Sequence, residues 1–305
     1  MLPSFLIAGA SKSGTTSLYS YIRQHPEIYM PYLKEIKYFS RIKNVGKYHK
    51  GIEWYKKYFK KAEELSDNVK CGEASVIYFD EPGTAELIKG TLPDVKLIFV
   101  LREPIQRAYS NYWQDRESGR KVKENFYDMI KSIEWDNIHR FRNNPYLPEN
   151  RVWAYIWVSS YQKHLRRYFN LFERENILIL LFQEIVNIDE SIFKKIFNFL
   201  EVDDEFIPEN IEKKNRSGTY KSKILQRILN SDLKEKFPIV NKTTYSIYQK
   251  LKSLNRKNFD YPPIDKDSAK ILVNYFADKL HKIEALTERD LSHWEKKWEK
   301  LVGKN

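Results

Sequence analysis

Phe5-Leu6-Ile7-Ala8-Gly9-Ala10-Ser11-Lys12-Ser13-Gly14-Thr15-Thr16-Ser17 passes from a short apolar run, through small residues, into the start of a helix. The run Phe5 to Ala8 has the composition of a strand buried on both faces. Gly9 to Gly14 is too small and too polar to continue it. From Thr15, the positions Leu18, Tyr21 and Ile22 follow helical spacing until His25-Pro26 stops the pattern. The order strand, small-residue loop, helix is the opening unit of a parallel α/β sheet.

The same order returns downstream. Val95 to Leu101 reads as a second buried strand, followed by Arg102-Glu103-Pro104 and a helix from about Ile105 through Trp113. Between the two units, Val69 to Gly72 is a strand candidate and Thr84 to Lys89 a helix. Val152 to Phe172 reads as one long helix, Ile177 to Phe182 as another buried strand and Ile192 to Leu200 as a helix. Such alternation predicts an α/β fold of three layers, a central parallel sheet flanked by helices. Two stretches fall outside the repeat. Asp115 to Asn150 is polar, broken at Pro145 and Pro148, and is expected to be a surface insertion. Residues 237–305 carry helices at about Thr243 to Leu254 and Asp267 to Leu286, expected as a helical C-terminal addition around the rigid Tyr261-Pro262-Pro263 turn.

The 305 residues hold no linker or repeat that would divide them, so a single domain over 1–305 is expected. A formal charge of +12, from 53 basic against 41 acidic residues, favours anionic ligands. The excess also suits nucleic acid, but the lysines are spread along the chain rather than gathered in an arm, so no nucleic-acid partner is expected. The single cysteine, Cys71, forms no internal disulfide and is expected as a buried, inert thiol. No stretch approaches the length of apolar residues a membrane span needs, and the N-terminal run lacks the features of a signal peptide. The expected setting is cytoplasmic.

The first loop suits a phosphate. Small residues let backbone N–H groups converge on its oxygens, and a helix N-terminus adds its positive dipole. Lys12 supplies a mobile charge, Ser13 and Gly14 shape the loop, and Thr15, Thr16 and Ser17 offer hydroxyls. A helix merely capped by its own Thr/Ser cluster would use the same residues. A nucleotide kinase would carry its lysine after the last glycine, whereas Lys12 stands before Gly14.

The string Lys12, Gly14, Thr15, Thr16 resembles the 5′-phosphosulfate loop of sulfotransferases that use 3′-phosphoadenylyl sulfate (PAPS). That resemblance implies a P-loop-like fold, PAPS as co-substrate, its desulfated form PAP as product, and Lys12 at the bridging oxygen between phosphate and sulfate. Arg102 at a strand end, with Ser110 two turns into the following helix, resembles the family's 3′-phosphate grip. Lys34-Glu35-Ile36-Lys37-Tyr38-Phe39 resembles the segment that carries the general base in the heparan-sulfate branch, which gives Glu35 that role. Lys37 departs from the branch's histidine. Glu73-Ala74-Ser75 resembles the next strand's Glu-x-Ser/Thr, and Glu73, a carboxylate at a strand end in the cleft, is the alternative base. Arg216, Ser217 and Gly218 resemble the late loop over the 3′-phosphate, and Leu291-Ser292-His293-Trp294 a structural ending.

The chemistry implied is in-line sulfuryl transfer to a hydroxyl or amine, on a carbohydrate, glycolipid or other small molecule. The six histidines are scattered, and no metal site is expected. Two rivals stay open at this level: a P-loop small-molecule kinase, and a non-catalytic basic module for glycan or nucleic acid. Acceptor and oligomeric state are not specified by the chain.

Overall fold

The computed structural model describes residues 1–65, 68–118, 122–133, 135, 151–187, 190–209, 218–222, 224–225, 229 and 242–303. Seven strands are described: β1 Phe5–Gly9, β2 Ile28–Tyr29, β3 Lys70–Ala74, β4 Lys96–Leu101, β5 Ile177–Leu181, β6 Gly218–Tyr220 and β7 Arg256–Asn258. The helices up to β4 are α1 Thr15–Ile22, α2 Ile52–Lys56, α3 Lys60–Glu63 and α4 Thr84–Thr91. After β4 come α5 Pro104–Glu117, α6 Phe126–Lys131, α7 Arg151–Ser159, α8 Tyr161–Phe169, α9 Phe182–Asn187 and α10 Glu190–Leu200. The C-terminal helices are α11 Lys242–Leu254, α12 Lys266–Thr287 and α13 Ser292–Val302.

The main sheet is parallel, with strand order β2-β3-β1-β4-β5. Successive residues of a strand face opposite sides, and the strands divide their apolar residues accordingly. Leu6, Ala8, Leu97, Phe99, Leu101, Ile177 and Ile179 join the larger core. Phe5, Ile7, Ile98, Val100, Leu178 and Leu180 join the core under α1 and α10. Burial on both faces explains why these strands read as unbroken apolar runs. The direction in which the connections move across the sheet reverses between β1 and β4, and the loops leaving these neighbours emerge side by side: Ala10 N donates to Val100 O at 3.0 Å. Parallel sheets bind ligands at such a switch point.

Three expectations change. The long helix over 152–172 is two helices, α7 and α8, parted at Ser160, whose φ is −82° and ψ 58°. Propensity does not see the cause. Ser159 Oγ donates to Pro104 O at 2.9 Å and accepts from Arg107 Nε at 2.6 Å, so the chain is held from outside the helix. Where it is described, the stretch at 115–150 keeps residues 123–125, 128, 131 and 132 exposed but sends others inward. Asp115 is buried on α5, and Phe126, Met129, Ile130 and Ile133 enter the main core. The C-terminal stretch is not purely helical, because β7 pairs antiparallel with β6.

Candidate active site

The loop after β1 opens directly into α1. Gly14 takes the N-cap position at φ 88°, and no side chain caps the helix. The first-turn N–H groups are therefore not consumed by a Thr/Ser cap, the alternative that the sequence left open. A Cβ at Gly14 would lie 3.1 Å from the Phe182 ring and would also strain the backbone. Ser13, Thr15 and Ser17 are buried, while Thr16 is exposed.

Cations converge on this loop. Lys12 is pushed down to about 8, first by burial and then by the charges of Arg102, Arg256 and Arg107, with Asp115 acting the other way. Arg102, the residue after β4, donates from NH1 to Lys12 O at 3.2 Å and lies over the Phe182 ring at 4.6 Å. Burial lowers its own pKa. Tyr161 fixes this corner by donating to Arg102 O at 2.7 Å. Glu103 explains the Arg-Glu-Pro string: its carboxylate caps α5 by accepting from Ile105 N at 2.7 Å and Gln106 N at 2.9 Å, with Pro104 in the first turn.

Arg107 is fully buried one turn into α5 and is pushed down to about 10, mainly by burial. It donates to Ser159 Oγ, to Asn111 Oδ1 at 3.2 Å, to Tyr155 O and to Ser11 Oγ at 3.5 Å. It thus ties α5 and α7 to the loop after β1. Ser110 lies three residues further on, buried in the same helix. Sequence reading passed over Arg107, whose partners Ser159 and Ser11 are remote from it along the chain. It also passed over Arg256, which β7 carries to within electrostatic reach of Lys12. Arg216 and Ser217 lie outside the described residues; Gly218 begins β6 opposite Asn258 of β7.

One candidate carboxylate sits on β3 and the other on the segment beside it, in different surroundings. Glu35 is on an irregular segment with φ 68°, and its side chain is 27% exposed. Lys34 Nζ donates to Glu35 Oε1 at 3.0 Å and to Thr15 Oγ1 at 3.5 Å, so one ammonium spans carboxylate and phosphate loop. Val76 N donates to the other oxygen, Oε2, at 3.2 Å. Glu73, on β3, is 1% exposed. Its Oε1 accepts from Tyr78 at 2.6 Å and Tyr55 at 3.1 Å, and its Oε2 accepts from Ser75 at 2.8 Å. Burial pushes Glu73 up to about 7 although the three hydroxyls pull it down. Among the described residues no group of three or more His, Cys, Asp or Glu could hold a metal ion. Nor is any described helix long and apolar enough to cross a membrane.

A parallel sheet whose switch point carries an uncapped helix start and several converging cations defines a nucleotide-binding group-transfer protein. The model of the sulfotransferase domain matches residues 2–282, and the chain belongs to that family. PAPS is the sulfuryl donor of such domains. The chain is similar to the Dictyostelium discoideum membrane-associated sulfotransferase kil1, 37% identical over 42% of this chain and 27% of that protein. It is also similar to the mouse bifunctional heparan sulfate N-deacetylase/N-sulfotransferase 4, 28% identical over 66% of this chain and 22% of that one. It spans about a quarter of the length of these curated relatives. A crystal structure of a sulfotransferase from Alicyclobacillus acidocaldarius superposes with a TM-score of 0.67 at 26% identity, covering 97% of this chain and 99% of that one.

Proposed function

We propose that this protein transfers the sulfuryl group of PAPS to a hydroxyl or amine of a carbohydrate acceptor, with Glu35 as the general base. One observation carries the reading: Lys34 Nζ bridges Thr15 of the phosphate loop and the Glu35 carboxylate. A base must stand beside the group being transferred, and this contact puts the partly open carboxylate next to the loop. The residues fit an anionic nucleotide, since α1 presents uncapped amides and Lys12 lies in a field of guanidinium groups that an anion would relieve.

PAPS supplies the sulfuryl group and a leaving phosphate. Glu35 takes the acceptor proton as the acceptor oxygen or nitrogen bonds to sulfur. Lys12 supports the negative charge that collects on the phosphate oxygen as its bond to sulfur breaks. Arg102 and Ser110 are assigned to the nucleotide's 3′-phosphate side, together with Arg216, Ser217 and Gly218, and Arg256 to the anion beside Lys12. Glu73, closed in by three hydroxyls, is not assigned the proton transfer. A carbohydrate acceptor is supported by the heparan sulfate relative named above. A cytoplasmic setting is part of the same reading, supported by the lone buried thiol of Cys71.

The test incubates the protein with PAPS and a panel of neutral, carboxylated and N-deacetylated glycans, phenols and lipids, with mass spectrometry reading the gain of one sulfate. A glycan product is expected, and Glu35→Gln should lower kcat at least about 100-fold with PAP affinity unchanged. No product from any acceptor, together with no PAP binding, would sink the assignment. A Glu35→Gln enzyme of full activity would remove Glu35 from it.

A further inference from the structure

The segment carrying Glu35 is not a strand, yet every second N–H along it meets a partner from the β3 side. Glu35 N donates to Ala74 O at 2.9 Å, Lys37 N to Ser75 Oγ at 2.9 Å, and Phe39 N to Tyr78 Oη at 3.3 Å. The first partner is a main-chain carbonyl, as in a sheet. The other two are hydroxyls, and a hydroxyl accepts from an amide only while its own proton points elsewhere. Both protons have the same destination: Ser75 donates to one oxygen of Glu73 and Tyr78 to the other.

The need for such a frame is visible in the backbone. Glu35 and Lys37 both occupy the left-handed region, at φ 68° and φ 59°, where side-chain-bearing residues persist only when their surroundings over-determine them. Glu73 is itself sealed from water, and a buried carboxylate is tolerated only when donors surround it. We propose that Glu73 is the positioning residue for Glu35. Its carboxylate gathers the protons of Ser75 and Tyr78 and so turns their lone pairs toward the amides of Lys37 and Phe39. The strained segment is thereby held against β3, with Glu35 facing the phosphate loop. No proton leaves Glu73 for the acceptor. The inference rests on Glu35 being the base, but its central measurement does not.

That measurement is residue-resolved amide exchange with PAP bound. In Glu73→Gln the new NH2 faces hydroxyl donors and at least one arm turns away, so exchange at Lys37 or Phe39 should rise at least tenfold. Ser75→Ala should expose the Lys37 amide and leave Phe39 protected, and Tyr78→Phe should do the reverse. These single-arm variants keep the proposal open to refutation if Glu73→Gln fails to fold. Tyr55→Phe removes a donor to Glu73 but frees no amide, and should cost less than either arm. In turnover, Glu73→Gln should lower kcat at least tenfold with PAP Kd within twofold, and should add nothing further to Glu35→Gln. Unchanged exchange at both amides in all three arm variants overturns the proposal, as does a loss of turnover that multiplies with that of Glu35→Gln. If Glu35→Gln alone is fully active, the base assignment fails, and the exchange data still decide what Glu73 holds.

Discussion

Lys12 stands at φ 66° in the loop between β1 and α1, with a proton that its neighbours make easier to lose. Its pKa of about 8, against 10.5 for an ordinary lysine, has a thermodynamic sign. The unfolded chain holds this proton more tightly than the native one. Gathering the cations therefore costs stability below about pH 8, and the cost fades as the pH rises from there toward 10.5. An anionic nucleotide reverses the field and requires the protonated form. PAP affinity, measured by calorimetry, should be steady up to about pH 7.5 and fall toward tenfold per unit beyond pH 8. Lys12→Arg should flatten that profile. A wild-type affinity independent of pH up to 9 would contradict it. Lys12 and Arg102 could be singled out in the sequence because loop chemistry depends on near neighbours. Arg107 was not, since its value comes from Ser159 and Ser11, which are remote from it along the chain.

The ribbon of β6 and β7 is the least legible element and one of the most consequential. Its strands, Gly218–Tyr220 and Arg256–Asn258, are three residues each and mostly polar, so they carry no apolar alternation to announce them. Pairing Tyr220 with Arg256 nevertheless brings a guanidinium into the field that lowers Lys12. Arg256→Ala should weaken PAP binding about tenfold, roughly 1.4 kcal/mol. It should also shift the pH midpoint of binding upward, because one cause of the low Lys12 pKa is gone. A weaker affinity with an unmoved midpoint would place Arg256 away from the loop. The long strands were easy by comparison, since burial on both faces leaves them continuous apolar runs. The break between α7 and α8 was hidden, because Ser159-Ser160 breaks the helix through Arg107 and Pro104 rather than through propensity.

At the scale of the whole molecule, the helices α12 and α13 complete the sheet's larger core rather than hanging from it. Trp294 of α13 is fully buried, with its ring 6.3 Å from that of Tyr161, the residue that holds Arg102. Trp298 donates from Nε1 to the buried Glu103 cap at 2.7 Å, tying the chain's last helix to the helix that follows β4. Trp294→Ala should lower stability by about 3–5 kcal/mol, read as a shift in denaturant midpoint. A change under about 1 kcal/mol would mean that α13 is dispensable to the fold. Sequence by itself determined the parallel α/β plan, the small-residue loop between β1 and α1 and the cationic balance, because each follows from local composition and spacing. Only the tertiary structure decided which carboxylate is open and which is sealed. It also decided that Arg107 and Arg256 come near Lys12 and its loop, and that Phe126, Met129, Ile130 and Ile133 enter the core. Burial and electrostatic field are sums over everything that packs around a group, and no single segment of the chain contains that sum.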